Sequence, residues 1–221
     1  MSHSLQIQIL VDNQSWILPY VERLQDLLQA DGHQAALIRR QEDISAGDIL
    51  FILGCVKRVP GDLLKFHQHN IVVHESGLPK GRGNSPLTWQ ILEGNNEIPA
   101  CLFEAVEELD RGSIYLRSTI RFKGNELLTD LKHAQGENSL KLCHEFVRAY
   151  PGIIAQACPQ PAADRNFYRK RVPADSILDP EKTISAQFNL LRVVDNERYP
   201  AFFELRGRKY KLKIEYYDER K

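Results

Sequence analysis

Two residues in this chain have side chains and surroundings suited to moving a proton. His74 closes an apolar run, Ile71-Val72-Val73-His74, and opens a segment rich in glycine and proline with Pro79, Gly81, Gly83 and Pro86. An imidazole titrates near neutrality, so at a strand end it can accept or relay a proton. Asp110 lies 36 positions further on, in Leu109-Asp110-Arg111-Gly112. A carboxylate on such a turn could orient an imidazole, stabilise its charged form and hold a water, while Gly112 lets the chain turn beside the reacting atoms. Taken singly, each residue has a plainer reading: His74 as a satisfied histidine at a strand terminus, Asp110 as an ordinary turn residue.

These residues need elements to hold them. Leu5 to Val11 alternates as a strand, and Asp12-Asn13-Gln14-Ser15 stops it. Trp16, Ile17, Tyr20, Val21, Leu24, Leu27 and Leu28 follow at helical spacing, with Ser15 or Asn13 as candidate caps. Ala35–Ile38, Asp48–Gly54 and Ile71–His74 read as further strands, and Pro60–His67 and Leu87–Leu92 as short helices. Ala100–Ala105 and Ser113–Phe122 read as two strands joined by a turn, and Asn125–Tyr150 as two helices broken near Gly136. Cys158–Asp179 is a polar connector, Thr183–Val194 is helical, and Ala201–Glu204 with Lys209–Tyr216 forms a hairpin around Arg206-Gly207-Arg208. The alternation predicts an α/β domain with a central, mostly parallel sheet over residues 1–150, and a small C-terminal appendage over 151–221 that carries the hairpin. In such sheets ligands bind outside the C-terminal strand ends, and two of these bear polar residues: Asp12–Ser15 and His74–Ser76.

Composition weighs against several functions without excluding a local basic patch. Lys plus Arg and Asp plus Glu number 29 each, so the chain lacks the basic excess of a nucleic-acid binder. Four scattered cysteines (Cys55, Cys101, Cys143 and Cys158) form no C-x-x-C pair and read as free thiols of a reducing, cytoplasmic compartment. No signal peptide and no run of membrane-spanning length is evident. His67 and His69 lack further correctly spaced ligands, so no metal site is expected, and no dinucleotide or P-loop glycine motif is present.

His74-Glu75-Ser76-Gly77-Leu78-Pro79-Lys80-Gly81-Arg82-Gly83, then Pro86, resembles the H-x-S-x-L-P-x-x-R-G-x-x-P loop of folate-dependent formyltransferases. Leu109-Asp110-Arg111-Gly112-Ser113-Ile114 resembles the same family's L-D-x-G-x-I turn. Together, in order and correctly spaced, the motifs cover roughly the first 120 residues and imply a Rossmann-like formyltransferase domain. The resemblance implies catalysis by His74 and Asp110, and N10-formyltetrahydrofolate as formyl donor. It also implies a pterin held mainly by backbone of Val56, Lys57, Arg58 and Val59 and of Glu104, Val106, Glu107 and Leu109, with Arg58 available to the folate's glutamate tail.

One position departs from the pattern. The family's Asn two residues before the histidine, a donor to the developing oxyanion, is Val72 here. Asn70, Asn84, a backbone N–H near Lys57–Val59 and His74 itself are candidate replacements.

The remaining segments bear on the acceptor. Arg171-Val172-Pro173-Ala174-Asp175-Ser176-Ile177-Leu178-Asp179 and Leu191–Phe203 resemble elements of nucleotide-sugar N-formyltransferases, those of pseudaminic-acid-type pathways above all. That resemblance implies a UDP-linked 4-amino-4,6-dideoxy sugar as acceptor. Methionyl-tRNA formyltransferases, which resemble the first domain, are expected to be longer and more basic. Asp12 to Ser15 would open a helix whose N-terminus suits phosphate, with Asn13 and Ser15 as contacts; Lys80 and Arg82 flank the catalytic loop, with Asn84 beside them. Trp16 could stack on uracil or belong to the core. Arg192, Asn196 and Tyr199 could contact the nucleotide or sugar, or Arg192 could anchor the appendage. Tyr199–Phe203 and Ile214–Tyr217 could pack on the first domain or build a homodimer. Competing readings are a formyltransferase for another small amine and a non-catalytic folate- or nucleotide-binding protein.

Overall fold

A computed structural model of the chain describes residues 4–161 and 166–217; residues 162–165 of the polar connector lie outside it. The strands of the central sheet are β1 (Gln6–Leu10), β2 (Gln34–Ile38), β3 (Gly47–Ile52), β4 (His67–His74), β6 (Glu97–Glu104) and β7 (Ile114–Arg121), and β5 (Arg82–Gly83) is a short strand outside it. The sheet runs in the order β2-β1-β3-β4-β6-β7. The first four strands are parallel, and β6 and β7 pair antiparallel. The helices are α1 (Leu18–Ala30), α2 (Gly61–Leu64), α3 (Pro86–Leu92), α4 (Leu128–Ala149) and α5 (Phe188–Val193). A two-residue strand β8 (Phe167–Tyr168) pairs with β5, and β9 (Ala201–Leu205) with β10 (Arg208–Leu212) makes the C-terminal hairpin.

Strand alternation decides which side chains face which layer. Ile7, Ile9, Ile49, Phe51 and Ile71 enter the core built with Val21, Leu24 and Leu28 of α1 and Cys143, Phe146 and Val147 of α4. Leu10 and Leu50 point the other way, onto Ile44 and Val59. Where a strand is buried on both faces, as β3 is at Ile49, Leu50 and Phe51, the sequence reads as a continuous apolar run. The hairpin turns through Arg206 at φ 52° and Gly207 at φ 74°, the pair of positive values that a two-residue hairpin loop requires.

Several local expectations are corrected. Gly136 does not break α4, which runs unbroken through 22 residues. Glycine is there because the Tyr20 ring lies against it: a Cβ would stand 2.5 Å from Tyr20 Cδ2. The 60–67 helix shrinks to the single turn of α2, because His67 already pairs with Gly47 in the sheet. Neither Ser15 nor Asn13 caps α1; Ile17 is the N-cap residue.

Two outcomes follow from this packing. Gly136→Ala should destabilise the protein by about 1–3 kcal/mol through overpacking against Tyr20, despite alanine's better helix propensity; urea unfolding measures it. His67 is buried with both ring nitrogens lacking a hydrogen-bond partner. Burial holds its imidazole below the usual value, against a weaker opposing pull from Asp48. The unfolded chain therefore takes the proton first, and stability falls as the pH drops below about 6.5. Urea midpoints should decline from about pH 7 to about pH 5.5, with a smaller decline in His67→Leu.

Candidate active site

β4 delivers His74 to the end of the parallel half of the sheet, where its ring is buried edge-on to Phe103. His74 Nε2 lies 2.8 Å from the Gly81 carbonyl oxygen. A carbonyl only accepts, so Nε2 carries the hydrogen and the neutral ring keeps its lone pair on Nδ1. Asp110 Oδ2 stands 3.9 Å from His74 Nε2 and accepts the Gly83 N–H at 2.9 Å. The two sequence motifs thus meet in space: the loop after His74 supplies both the imidazole's acceptor and the carboxylate's donor.

The turn that carries Asp110 is tightly constrained. Asp110 has a left-handed φ of 52°, tolerated by Asp better than by most residues. A Cβ on Gly112 would fall 1.7 Å from the Glu104 carbonyl oxygen, so only glycine fits. Gly83, at φ 97°, is equally constrained, since a Cβ there would fall 2.3 Å from the Tyr168 carbonyl oxygen.

Beneath the histidine lies a second carboxyl group. Glu75 is buried, and burial pushes its carboxyl above the usual range, against the charge of His74 and a hydrogen bond from Gln135. Its backbone carbonyl accepts Gln90 Nε2 at 2.6 Å, which fixes the exit of β4 to α3.

Asp12 organises the loop after β3. Its two oxygens accept the N–H groups of Val56 and Lys57, each at 2.8 Å. Burial raises the Asp12 carboxyl, but the hydrogen bonds from Asn13, Val56 and Lys57 and the Lys57 charge outweigh it, and the net value is low. Val56, Lys57 and Arg58 are exposed, while Val59 is buried beside Leu10 and Leu50. On the other loop Val106, Glu107 and Leu109 are exposed. The Glu104 carboxylate is committed to the Asn70 N–H, the Tyr115 hydroxyl and His69.

Val72 is packed with Leu78, Cys101, Phe103 and Ile114 and offers no donor. Of its candidate replacements, Asn70 gives its amide to the Leu64 carbonyl and lies four residues back along the strand, about 13 Å from His74. The Lys57 N–H is held by Asp12, and His74 Nε2–H by Gly81. Asn84 is exposed next to Gly83.

The other predicted contacts fall on several elements, Lys80 and Arg82 on the His74 loop itself. At the start of α1 the Leu18, Tyr20 and Val21 N–H groups bond to the Ser15 and Ile17 carbonyls, and Pro19 has none. Asn13 donates to Asp12 and to the Gly54 carbonyl, and the Ser15 hydroxyl accepts the Ile17 N–H. Trp16 packs on the core, edge-on to Tyr20. Lys80 is exposed, whereas Arg82 is buried, bonded to Gln160 at 3.0 Å and 3.7 Å from Glu108. Arg192 is buried and anchors the C-terminal segment through Glu126, Asn96 and Asn189. Asn196 clasps the backbone of Ile214 through both its N–H and its carbonyl, and Tyr199 is exposed beside Phe202 and Lys211. Sequence reasoning missed Gln160 and Asn166, whose side chains bond the Asp110–Gly112 turn and the Gly81 N–H. No local signal marks either residue, because both act on backbone groups far away in sequence.

No helix among the described residues is long and apolar enough to cross a membrane, and no cluster of His, Cys, Asp or Glu among them could hold a metal ion. The fold is shared with methionyl-tRNA formyltransferase from Clostridium thermocellum, with a TM-score of 0.77 at 14% identity, covering 98% of this chain and 96% of that one. A 4-N formyltransferase from Francisella tularensis superposes at TM-score 0.71 and 17% identity, covering 98% of this chain and 100% of that one. HypX from Aquifex aeolicus, solved with tetrahydrofolic acid, matches at TM-score 0.74 and 16% identity over 96% of this chain and 38% of its own. Residues 19–146, which include both His74 and Asp110, match the Formyl transferase family model. The chain belongs to the formyl transferase family.

Proposed function

We propose that this protein transfers a formyl group from N10-formyltetrahydrofolate to the amino group of a UDP-linked 4-amino-4,6-dideoxy sugar, a precursor of cell-surface glycans. The observation that carries the reading is the convergence of His74 and Asp110 on the Gly81–Gly83 loop. The exposed apolar side chains of Val56, Val106 and Leu109 on the two flanking loops suit the flat faces of a pterin. Arg58, also exposed, suits a carboxylate of the folate tail.

The folate supplies a formyl carbon bound to N10. A C–N bond forms from the sugar amine to that carbon, the carbon–N10 bond breaks, and the proton lost by the amine balances the one gained by N10. His74 accepts the amine proton on Nδ1, since Nε2–H is already donated to Gly81. Asp110, fixed by the Gly83 N–H, stabilises the imidazolium that results. Asn84 is the exposed side-chain donor next to Gly83 for charge developing on the formyl oxygen. Lys80, on the same loop, offers a point charge to the diphosphate.

Length does not separate sugar from tRNA as acceptor, because this chain spans 96% of the methionyl-tRNA formyltransferase structure. Charge favours the sugar: the formal net charge is zero, which suits a small substrate better than a polyanion. The Francisella relative is a 4-N formyltransferase, in keeping with a 4-amino sugar.

Two measurements test the proposal. Incubation with N10-formyltetrahydrofolate and a panel of UDP- and dTDP-linked 3-amino and 4-amino sugars should add the mass of one formyl group to a UDP-4-amino sugar. Transfer only to a non-sugar amine would overturn the acceptor, and no transfer at all the enzymatic reading. His74→Asn and Asp110→Asn should each lower kcat by about 10²–10⁴-fold with the fold retained by circular dichroism; near-wild-type rates in both would overturn the mechanism.

A further inference from the structure

Gln160 lies outside the region matched by the family model and outside both loop motifs, yet its side chain bonds to both loops. Its Nε2 donates to the carbonyl oxygens of Asp110 and Gly112, each at 2.9 Å. Its Oε1 accepts Arg82 Nη2 at 3.0 Å. Arg82 stands between Gly81, whose carbonyl takes the His74 Nε2–H, and Gly83, whose N–H holds Asp110. One amide therefore closes a ring that runs from His74 through Gly81 and Arg82 to Gln160, then through Asp110 back to Gly83.

We propose that Gln160 is a positioning residue for the transfer reaction: it fixes the spacing of His74 and Asp110 by tying the carboxylate's turn to the histidine's loop. This rests on the formyl-transfer reading for its catalytic consequence, but not for its geometry. The chemistry of the site selects an amide. Two backbone carbonyls need a group with two N–H donors, and the Arg82 guanidinium needs an acceptor on the same group. A carboxylate satisfies Arg82 but presents oxygen to both carbonyls. A lysine would donate to the carbonyls but face the guanidinium charge. Asp110 is held in a left-handed conformation, and Gln160 supplies two of the bonds that fix its turn.

The neighbouring residues extend the same tie. Cys158 pairs with Ile114 at the start of β7, just beyond the turn. Asn166 accepts the Gly81 N–H, and Phe167 and Tyr168 pair with Arg82 and Gly83. Among the described residues of this stretch, Gln160 is a side chain that joins the two loops to each other.

The test uses Gln160→Ala, which removes every bond, and Gln160→Glu, which keeps the shape and the acceptor for Arg82 but loses the donors. Both should lower kcat for formyl transfer by about 10- to 100-fold, with KM for donor and acceptor within about threefold. Unchanged kcat in both variants, or a loss that only tracks the fraction of folded protein, would overturn the proposal. Amide hydrogen exchange gives a second readout that needs no substrate. The Gly83 amide should exchange about tenfold faster in Gln160→Ala, while Ile71 and Leu102 in the central strands keep wild-type protection. Unchanged Gly83 exchange overturns the tie. Faster Gly83 exchange in a protein whose wild type transfers no formyl group would overturn the formyl-transfer reading and leave the tie standing.

Discussion

The hydrogen bond from the Gly83 N–H to the Asp110 carboxylate joins two loops that the chain supplies 27 residues apart. It brings a charged oxygen within 3.9 Å of the His74 ring while both side chains are largely withdrawn from water. An ionised carboxylate at such a place needs donors, and an imidazole needs its tautomer fixed. Gly83 provides the first and Gly81 the second, from opposite sides of one arginine. Much of the rest of the fold holds these contacts in register. β4 sets the height of the histidine, Gly112 presses the carboxylate's turn onto the end of β6, and Gln90 anchors the exit of β4.

Glycine is what makes such close approach possible. At Gly83 and Gly112 the obstacle is backbone, not a side chain that could swing away, and no rotamer change would admit a Cβ. At Gly136 the obstacle is the Tyr20 ring, which can yield a little, and the cost there is packing. The same residue type thus serves the Asp110 turn in one place and a helix–helix contact in another.

Much of this was legible in the sequence. The strands around Ile7, Leu50 and Ile71 announced themselves through alternation or continuous apolar character, and the hairpin through its Arg206-Gly207 turn. His74 and Asp110 were legible because glycine and proline mark their loops, and Val72 because its type breaks a pattern. What escaped depends on partners remote in sequence. Gly136 looks like a helix breaker until Tyr20 is placed against it, and the single turn of α2 gives way to a strand once Gly47 pairs with His67. α1 starts at Leu18 rather than at Ser15, where local spacing had it, and its first-turn amides are used within the turn. Arg192 was readable as either a ligand contact or an anchor, and only its burial against Glu126 and Asn96 decides.

The buried Arg192 bears on how this protein could be shortened or recombined. Its guanidinium is shared among groups from three separate stretches: Asn96 before β6, Glu126 before α4, and Asn189 in its own helix. A chain ended at residue 146, where the family match stops, would keep both His74 and Asp110 while stranding Asn96 and Glu126, which receive this cation. The segment matched by the family model is therefore smaller than the unit this cation ties together, and a C-terminal segment that carries such an arginine calls for a recipient with the same acceptors at the same depth.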